Sequence, residues 1–309
     1  MFATTIKMLQ RAQNIAIFSH RNPDGDALGS NLALHLALKK LLIKSTPVCV
    51  DHPPAVLHFL PHIDELVTSF DPEDFDLFVF LDCADIETLS GFYPRYKTFF
   101  ETKLTINIDH HPSNKLYAIE NVVDKSKAAT ALLVYDLLQE MKIRIDPEIA
   151  TCLLTGIITD TGGFQHSNTS PETLSVASDL TDKGANLEKI VNAVFKSKSL
   201  TTLRLWGKAL SRISLDKEKN LVWSSVTKED ISELGASYDD LSGVISFMFG
   251  IPEAKVAILL AEREDGKLKG SIRTKNGADA NELAAFFGGG GHKKAAGFVV
   301  KQGLGDSAA

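Results

Sequence analysis

Through the first 160 residues, short runs of apolar, β-branched and aromatic residues alternate with longer stretches whose apolar positions recur at helical spacing. Asn14–Ser19, Pro47–Asp51, Phe75–Asp82 and Leu104–Asp109 are nearly continuous in apolar character and predict buried strands. Leu28–Leu42, Ala128–Met141 and Pro147–Ile157 predict helices between or after them. This alternation predicts an α/β fold, a parallel sheet with helices on both faces. Ser170-Pro171-Glu172 is a helix start, with Ser as N-cap and Pro in the first turn, and Gly184 is its stop. Leu187–Ile213 reads as mostly helical, and beyond it the pattern changes. There Leu221–Val226, Lys255–Glu262 and Lys267–Arg273 predict strands, the last two joined by a hairpin-type turn at Glu264-Asp265-Gly266. Helical stretches at Lys228–Leu234, Tyr238–Phe249 and Asp279–Phe287 accompany them. The expected organisation is a domain over 1–186, a helical linker over 187–211 and a smaller α/β domain over 212–309.

A chain of 309 residues that is 44% hydrophobic and 23% charged can bury a substantial core, which sets aside disordered and collagen-like classes. No apolar run approaches the roughly 20 residues that cross a bilayer, and no membrane partner is expected. Met1 to Lys7 lacks the pattern of a signal peptide. Cys49, Cys83 and Cys152 are too few and too dispersed for a disulfide framework or a thiolate zinc site. A cytoplasmic protein is expected. The net charge of −6 is unevenly spread: residues 251–309 carry nine Lys/Arg against seven Asp/Glu, which leaves −8 on residues 1–250. An acidic N-terminal part suits cations and a basic C-terminal part suits a polyanion, although two ordinary solvated surfaces would give the same sums.

The polar residues sharpen this picture. His20 follows the first strand and opens His20-Arg21-Asn22-Pro23-Asp24-Gly25-Asp26. Asp82 ends the third strand, Asp109-His110-His111 ends the fourth, and Asp160 lies just after the helix from Pro147. Ligands of an open parallel sheet bind beyond the carboxyl ends of its strands, and three strands deliver Asp or His to that edge. Five carboxylates and two or three imidazoles in one cleft repel one another unless divalent cations neutralise them. Oxygen and imidazole donors suit manganese or magnesium, and two such ions clamp the attacking and leaving oxygens in phosphoryl-ester hydrolysis. Asp24 and Asp26, two apart, can serve different ions while Asp82 bridges. Each piece alone has a bland reading, Asp-Gly-Asp as a turn and His-His as surface; their joint arrival at strand ends carries the weight. His35 reads as a satisfied helix residue, His52, His58 and His62 have no acidic partner at metal spacing, and Trp206 and Trp223 read as packing.

Asp109-His110-His111, together with His20-x-x-x-Asp24-x-Asp26, Asp82 and Asp160 in that order, resembles the signature of the DHH phosphoesterases. Ser271-Ile272-Arg273 and Gly288-Gly289-Gly290-Gly291-His292 resemble the DHH-associated C-terminal domain, and within the family the chain, apart from the linker, resembles the compact nanoRNase/pAp phosphatase subfamily. The resemblance implies two divalent ions, most naturally manganese, with magnesium or cobalt as alternatives. It places one on His20, Asp24 and Asp82 and the other on Asp26, Asp82, His110 and Asp160. Asp109 then supports the cluster, His111 faces the scissile phosphate, and hydrolysis proceeds without a covalent enzyme intermediate. Ser271, Arg273, Gly289, Gly290, Gly291 and His292 are the implied substrate residues, with glycine backbone N–H groups close to a phosphate. The implied substrates are short RNA oligonucleotides, linear dinucleotides and 3′-phosphoadenosine 5′-phosphate (pAp); a homodimer is compatible with this. A cyclic-dinucleotide phosphodiesterase, a pyrophosphatase or exopolyphosphatase, and a non-catalytic nucleotide-binding module stand as alternatives.

Overall fold

The structure, a computed structural model, describes residues 1–301 except Ser90, Glu264 and Asn276, with the backbone alone at His292. The chain divides into two compact units, Met1–Ser197 and Lys198 onward.

The first unit is built on a five-stranded sheet in the order β2-β1-β3-β4-β5, parallel throughout. Its strands are β1 (Asn14–Ser19), β2 (Lys44–Cys49), β3 (Leu77–Leu81), β4 (Leu104–Asp109) and β5 (Glu120–Val123). The side-chain period of two sorts the sheet into two chemistries. Ile15, Ile17, Leu77, Val79, Leu81, Ile106 and Ile108 join an aliphatic core. That core is closed by α1 (Ala3–Arg11), α2 (Gly25–Lys40), α4 (Thr130–Glu140), α5 (Pro147–Asp160) and α6 (Pro171–Asp182). The alternate residues Phe18, Phe78 and Phe80 pack on the opposite face with Phe92 and Phe100, beside α3 (Tyr93–Thr102). Phe18 sits at the centre of that cluster, 5.1 Å from the Phe70 ring and 5.4 Å from the Phe80 ring.

Helices α2 and α5 pack closely, and glycine makes the approach possible. A Cβ on Gly29 would lie 2.3 Å from the Cys152 carbonyl oxygen, and one on Gly156 would lie 2.7 Å from an Asp26 carboxylate oxygen. The two helices therefore touch backbone to backbone at the turns that carry Asp26 and lead to Asp160.

Of the segment expected as a linker, α7 (Leu187–Val191) buries Ile190 in the N-terminal core, whereas α8 (Leu200–Ser211) buries Leu205, Trp206 and Ala209 in the C-terminal one. Residues 187–211 are thus shared between the units, because apolar faces on both sides of Ser197 have cores to enter. The second unit has a six-stranded mixed sheet in the order β10-β11-β9-β8-β7-β6. Its strands are β6 (Ser214–Asp216), β7 (Leu221–Val226), β8 (Val256–Glu262), β9 (Leu268–Thr274), β10 (Gly290–His292) and β11 (Ala295–Val300). Only β7 and β8 pair in parallel. The helices α9 (Lys228–Glu233), α10 (Val244–Met248) and α11 (Ala280–Ala285) complete the unit. The expected turn at Glu264-Asp265-Gly266 includes Glu264, outside the described residues.

Candidate metal centre

Each candidate ligand of the first unit is presented by an element end. His20 leaves β1, Asp24 is the N-cap of α2, Asp26 lies in its first turn, and Asp160 is the last residue of α5. Asp24 accepts hydrogen bonds at 3.0 Å from the Asp26 and Ala27 N–H groups, which fixes the start of the helix. The third strand stops one residue earlier than its apolar run, at Leu81, because Asp82 adopts a left-handed conformation with φ of 60°. Aspartate tolerates that region better than most residues, and the turn carries its buried carboxylate into the cleft.

The structure brings His20, Asp24, Asp26, Asp82, Asp109, His110, His111 and Asp160 into one cluster. Ligand atoms of His20, Asp24 and Asp82 lie within 4.8 Å of one another, as do those of Asp26, His110 and Asp160. Asp82 joins the two groups. Its Oδ2 faces His20 Nε2 at 3.5 Å and its Oδ1 faces His110 Nε2 at 3.6 Å.

Hydrogen bonds decide which imidazole nitrogen is available. His20 Nδ1 lies 2.7 Å from the Arg21 carbonyl and His110 Nδ1 lies 3.2 Å from the Lys127 carbonyl. A carbonyl only accepts, so in both rings Nδ1 donates and Nε2 is left to face carboxylates. His110 Nε2 is buried without a hydrogen-bond partner, although Asp160, Asp82 and Asp26 oxygens stand 3.2, 3.6 and 4.0 Å away. An orphaned imidazole nitrogen ringed by acids is a donor set for a cation.

The electrostatics agree. Burial first, and then the charges of Asp82, Asp160 and Asp24, push the Asp26 carboxyl well above the ordinary range. Asp160 is pushed up by burial and then by Asp82 and Asp24. Asp82 is held down: burial opposes ionisation, but the hydrogen bond to His20 and the charges of His111, His20 and His110 outweigh it. For His20 burial works downward, yet Asp82 raises it to about 9. Acids that suppress one another's ionisation are relieved by positive charge, and the donor set of carboxylate and imidazole fits divalent ions.

Around this cluster lies a polar frame. Asp109 is fully buried and accepts three hydrogen bonds, from the His110 N–H at 2.8 Å, His111 Nδ1 at 2.7 Å and Asn114 Nδ2 at 2.6 Å. That makes it the group that orients His111. The same bond, with burial opposing it, raises the His111 imidazole to about 9. Asp26 accepts from the Thr130 and Ala131 N–H groups at 2.6 and 2.9 Å and so caps α4, whose own N-cap residue, Ala129, has no side chain to do it. Thr130 Oγ1 donates to Asp82 at 2.9 Å.

Two family models match the chain. The N-terminal domain of the DHH family covers residues 14–157, and the DHHA1 domain covers residues 218–308. A bifunctional oligoribonuclease and PAP phosphatase of Thermus thermophilus is 38% identical to it over 93% of this chain and 84% of its own. The chain belongs to the DHH phosphoesterase family. It is thus a hydrolase of phosphate esters, in a family whose enzymes use divalent metal ions. A second DHH relative, the bifunctional oligoribonuclease and PAP phosphatase of Bacillus subtilis, is 27% identical over 96% of this chain and 92% of its own. An exopolyphosphatase-related protein of Bacteroides fragilis has the same fold with a TM-score of 0.90, at 27% identity, over 98% of this chain and 92% of that one.

The candidate substrate residues of this DHH chain lie in the second unit. Ser271 and Arg273 are on β9, and Gly289, Gly290 and Gly291 lead into and form β10. The His292 side chain is outside the described residues. Arg273 is half-buried, with no carboxylate partner among the described residues; its Nη1 donates to the Ile272 carbonyl at 3.1 Å, and burial lowers its pKa. The glycine run differs from a loop of free N–H groups. The Gly289 N–H bonds to the Ala284 carbonyl and the Gly291 N–H to Asn281 Oδ1, both at 2.9 Å. These glycines have a packing reason, since a Cβ on Gly289 would lie 2.2 Å from the Gly297 carbonyl oxygen.

Thr130, Asn114 and the Lys127 carbonyl were not among the residues marked by sequence. Asn22 anchors its loop, its backbone N–H donating to Asp51 at 2.7 Å. His166 lies close by, with Nδ1 3.2 Å from the Asp160 carbonyl. Among the described residues no helix is long and apolar enough to cross a membrane.

Proposed function

We propose that this DHH phosphoesterase is a manganese-dependent two-metal enzyme of the cytoplasm acting on very short nucleotides. It hydrolyses RNA oligomers of a few nucleotides and linear dinucleotides such as pGpG to mononucleotides, and pAp to AMP. The observation that carries this reading is the paired donor set, His20–Asp24–Asp82 and Asp26–His110–Asp160, sharing Asp82 between its two carboxylate oxygens. The oligoribonuclease and PAP phosphatase names of the relatives from Thermus thermophilus and Bacillus subtilis support the substrate class.

Divalent ions held there supply charge for the phosphoryl oxygens and acidify water at neutral pH. The chain's own residues do the rest. The carbonyls of Arg21 and Lys127 hold the His20 and His110 rings with Nε2 inward. Thr130 and the start of α4 fix the Asp82 and Asp26 carboxylates, so the charge that meets the phosphate is organised beforehand. Asp109 locks His111 through Nδ1, which leaves Nε2 to hold or pass a proton at the leaving oxygen. Arg273 and Ser271, with His292 at the end of the Gly289–Gly291 strand, hold the phosphate that is not cleaved; a guanidinium with no carboxylate partner among the described residues is available for that anion.

Turnover of a matched panel with manganese tests the reading: pAp, pGpG, a five-nucleotide RNA, cyclic dinucleotides and pyrophosphate. Cleavage of the first three, in preference to the last two, is the expected result. Preference for pyrophosphate or for cyclic dinucleotides overturns it.

A further inference from the structure

On β9 the residues Lys269, Ser271 and Arg273 share one half-exposed face, alternating with the buried Leu268, Gly270, Ile272 and Thr274. Arg273 ends this row on one side. On the other side lies a cavity of about 600 Å³ whose lining includes Lys228, Ile231, Ser237, Tyr238, Arg263 and Lys269. That volume suits a nucleotide-sized ligand. Lys269 Nζ lies over the Tyr238 ring, 4.6 Å from its centre. Lys269 has no carboxylate partner among the described residues. Two acids line the cavity as well, and both are engaged: Asp265 pairs with Arg263 at 3.6 Å and Lys267 at 3.0 Å, and Glu262 accepts from the Lys228 N–H at 3.3 Å. From Lys269 to Arg273 the strand advances about 13 Å, several steps of a stacked strand at about 3.4 Å each.

We propose that the Tyr238–Lys269 cavity is a subsite for the nucleotides of an oligonucleotide that lie beyond the phosphate held at Arg273, so that the second unit discriminates substrates by length. An aromatic face next to a lysine is the pairing by which single strands are held without sequence preference, the ring for a base and the cation for a phosphate. pAp ends at its second phosphate and has nothing to place there; a five-nucleotide RNA does. The inference rests on the oligonucleotide reading given above.

The test compares Lys269→Gln, Tyr238→Phe and Tyr238→Ala with the wild type, all loaded with manganese, on pAp and on a five-nucleotide RNA. Wild-type turnover of the RNA decides the oligonucleotide reading on its own; if the RNA is not cleaved, both that reading and this inference fall. Given turnover, Lys269→Gln and Tyr238→Ala should each lower the ratio of kcat/KM for RNA to that for pAp by about tenfold, whereas Tyr238→Phe keeps the ring and most of the ratio. Fluorescence anisotropy with labelled five-nucleotide RNA and metal-free protein gives a reading that does not depend on chemistry. There Lys269→Gln should reduce the slope of log Kd against log salt by about 0.7, the value for one phosphate contact on a single strand. An unchanged ratio with an unchanged slope in the folded Lys269→Gln protein overturns the subsite, as does an equal loss on both substrates.

Discussion

Replacing Gly29 by Ala tests whether the approach of α2 to α5 sets the spacing of the carboxylates they carry. The added Cβ would lie 2.3 Å from the Cys152 carbonyl oxygen and 3.2 Å from the Gly156 nitrogen, the nearer contact about 1 Å inside ordinary van der Waals distance. Both atoms belong to the backbone of α5, so relief requires the helices to move apart. Two effects on stability oppose each other. Alanine is favoured over glycine inside a helix by about 1 kcal/mol, and overpacking a buried contact costs roughly 1–3 kcal/mol. The net loss is about 0–2 kcal/mol, and the fold survives it.

The cluster is less forgiving. Asp26 in the first turn of α2 and Asp160 at the end of α5 face the same His110 Nε2, at 4.0 and 3.2 Å. A displacement of about 1 Å in groups that position a reacting centre costs on the order of a hundredfold in rate. Gly29→Ala should therefore lose about a hundredfold in turnover of pAp and bind manganese more weakly, with only a small drop in the urea unfolding midpoint. Gly207→Ala is the matched control: Gly207 is an exposed residue within α8, and a Cβ there meets nothing within 4 Å. It should stabilise the chain by about 1 kcal/mol and leave turnover alone. Wild-type turnover and metal binding in Gly29→Ala would refute the claim that this helix contact spaces the carboxylates.

Asp82→Asn keeps a side chain that tolerates positive φ while removing the charge shared by the two donor groups. Bound manganese and turnover should fall together in a folded protein, and retention of both would sink the two-metal scheme. Asn114→Ala removes a donor to the buried Asp109 carboxylate at 2.6 Å, which costs roughly 1–3 kcal/mol. Its kcat should drop through a misaligned His111 while metal content holds, and a loss of metal instead would assign Asn114 to the ligand frame. Away from the cluster, Glu65 is held near pH 2, first by Lys39 and then by His35 and His62. A depressed carboxyl contributes stability that is complete above its unfolded value of 4.5 and is lost as the pH falls towards 2. Glu65→Gln should thus lower the unfolding midpoint at neutral pH and flatten its fall between pH 4.5 and about 2; an unaltered acid limb would show that the Lys39–Glu65–His35 cluster is neutral to folding.

Much of the cluster was legible because parallel strands expose their carboxyl ends on one edge, so a polar residue terminating an apolar run has few other places to be. His20, Asp82 and Asp109-His110 each follow that rule. The frame that fixes them was not legible. Thr130 and Asn114 are common residue types in unremarkable surroundings, and their roles come from contacts far along the chain, such as the Thr130 N–H on Asp26 at a separation of 104 residues. Capping of α4 by Asp26 was hidden for the same reason, since local pattern finds only caps that are neighbours in sequence. Strand β5 was missed because it buries only Val122, too little to register as an apolar run.

The omission of β10 and β11 has a different cause, and it bears on how glycine should be read. Ala295–Val300 opens on Ala-Ala-Gly, residues with little strand preference, yet β11 lies inside the sheet between β10 and β9. Its Phe298 lies across from Gly270 on β9, where a Cβ would fall 2.1 Å from the ring, and stacks at 4.4 Å on Phe287. Glycine inside a strand is ordinarily a weakness, because it contributes no side chain to the packing. Here the missing side chain is the seat for an aromatic ring from the next strand, and Gly289 makes room for the same residue, with a Cβ there 2.6 Å from Phe298 Cβ. A glycine run that suggests a phosphate loop when read along the chain is therefore, across the sheet, a packing surface. With the Gly289 and Gly291 N–H groups already bonded inside the unit, the phosphate recognition proposed for this region rests on side chains, Arg273 foremost.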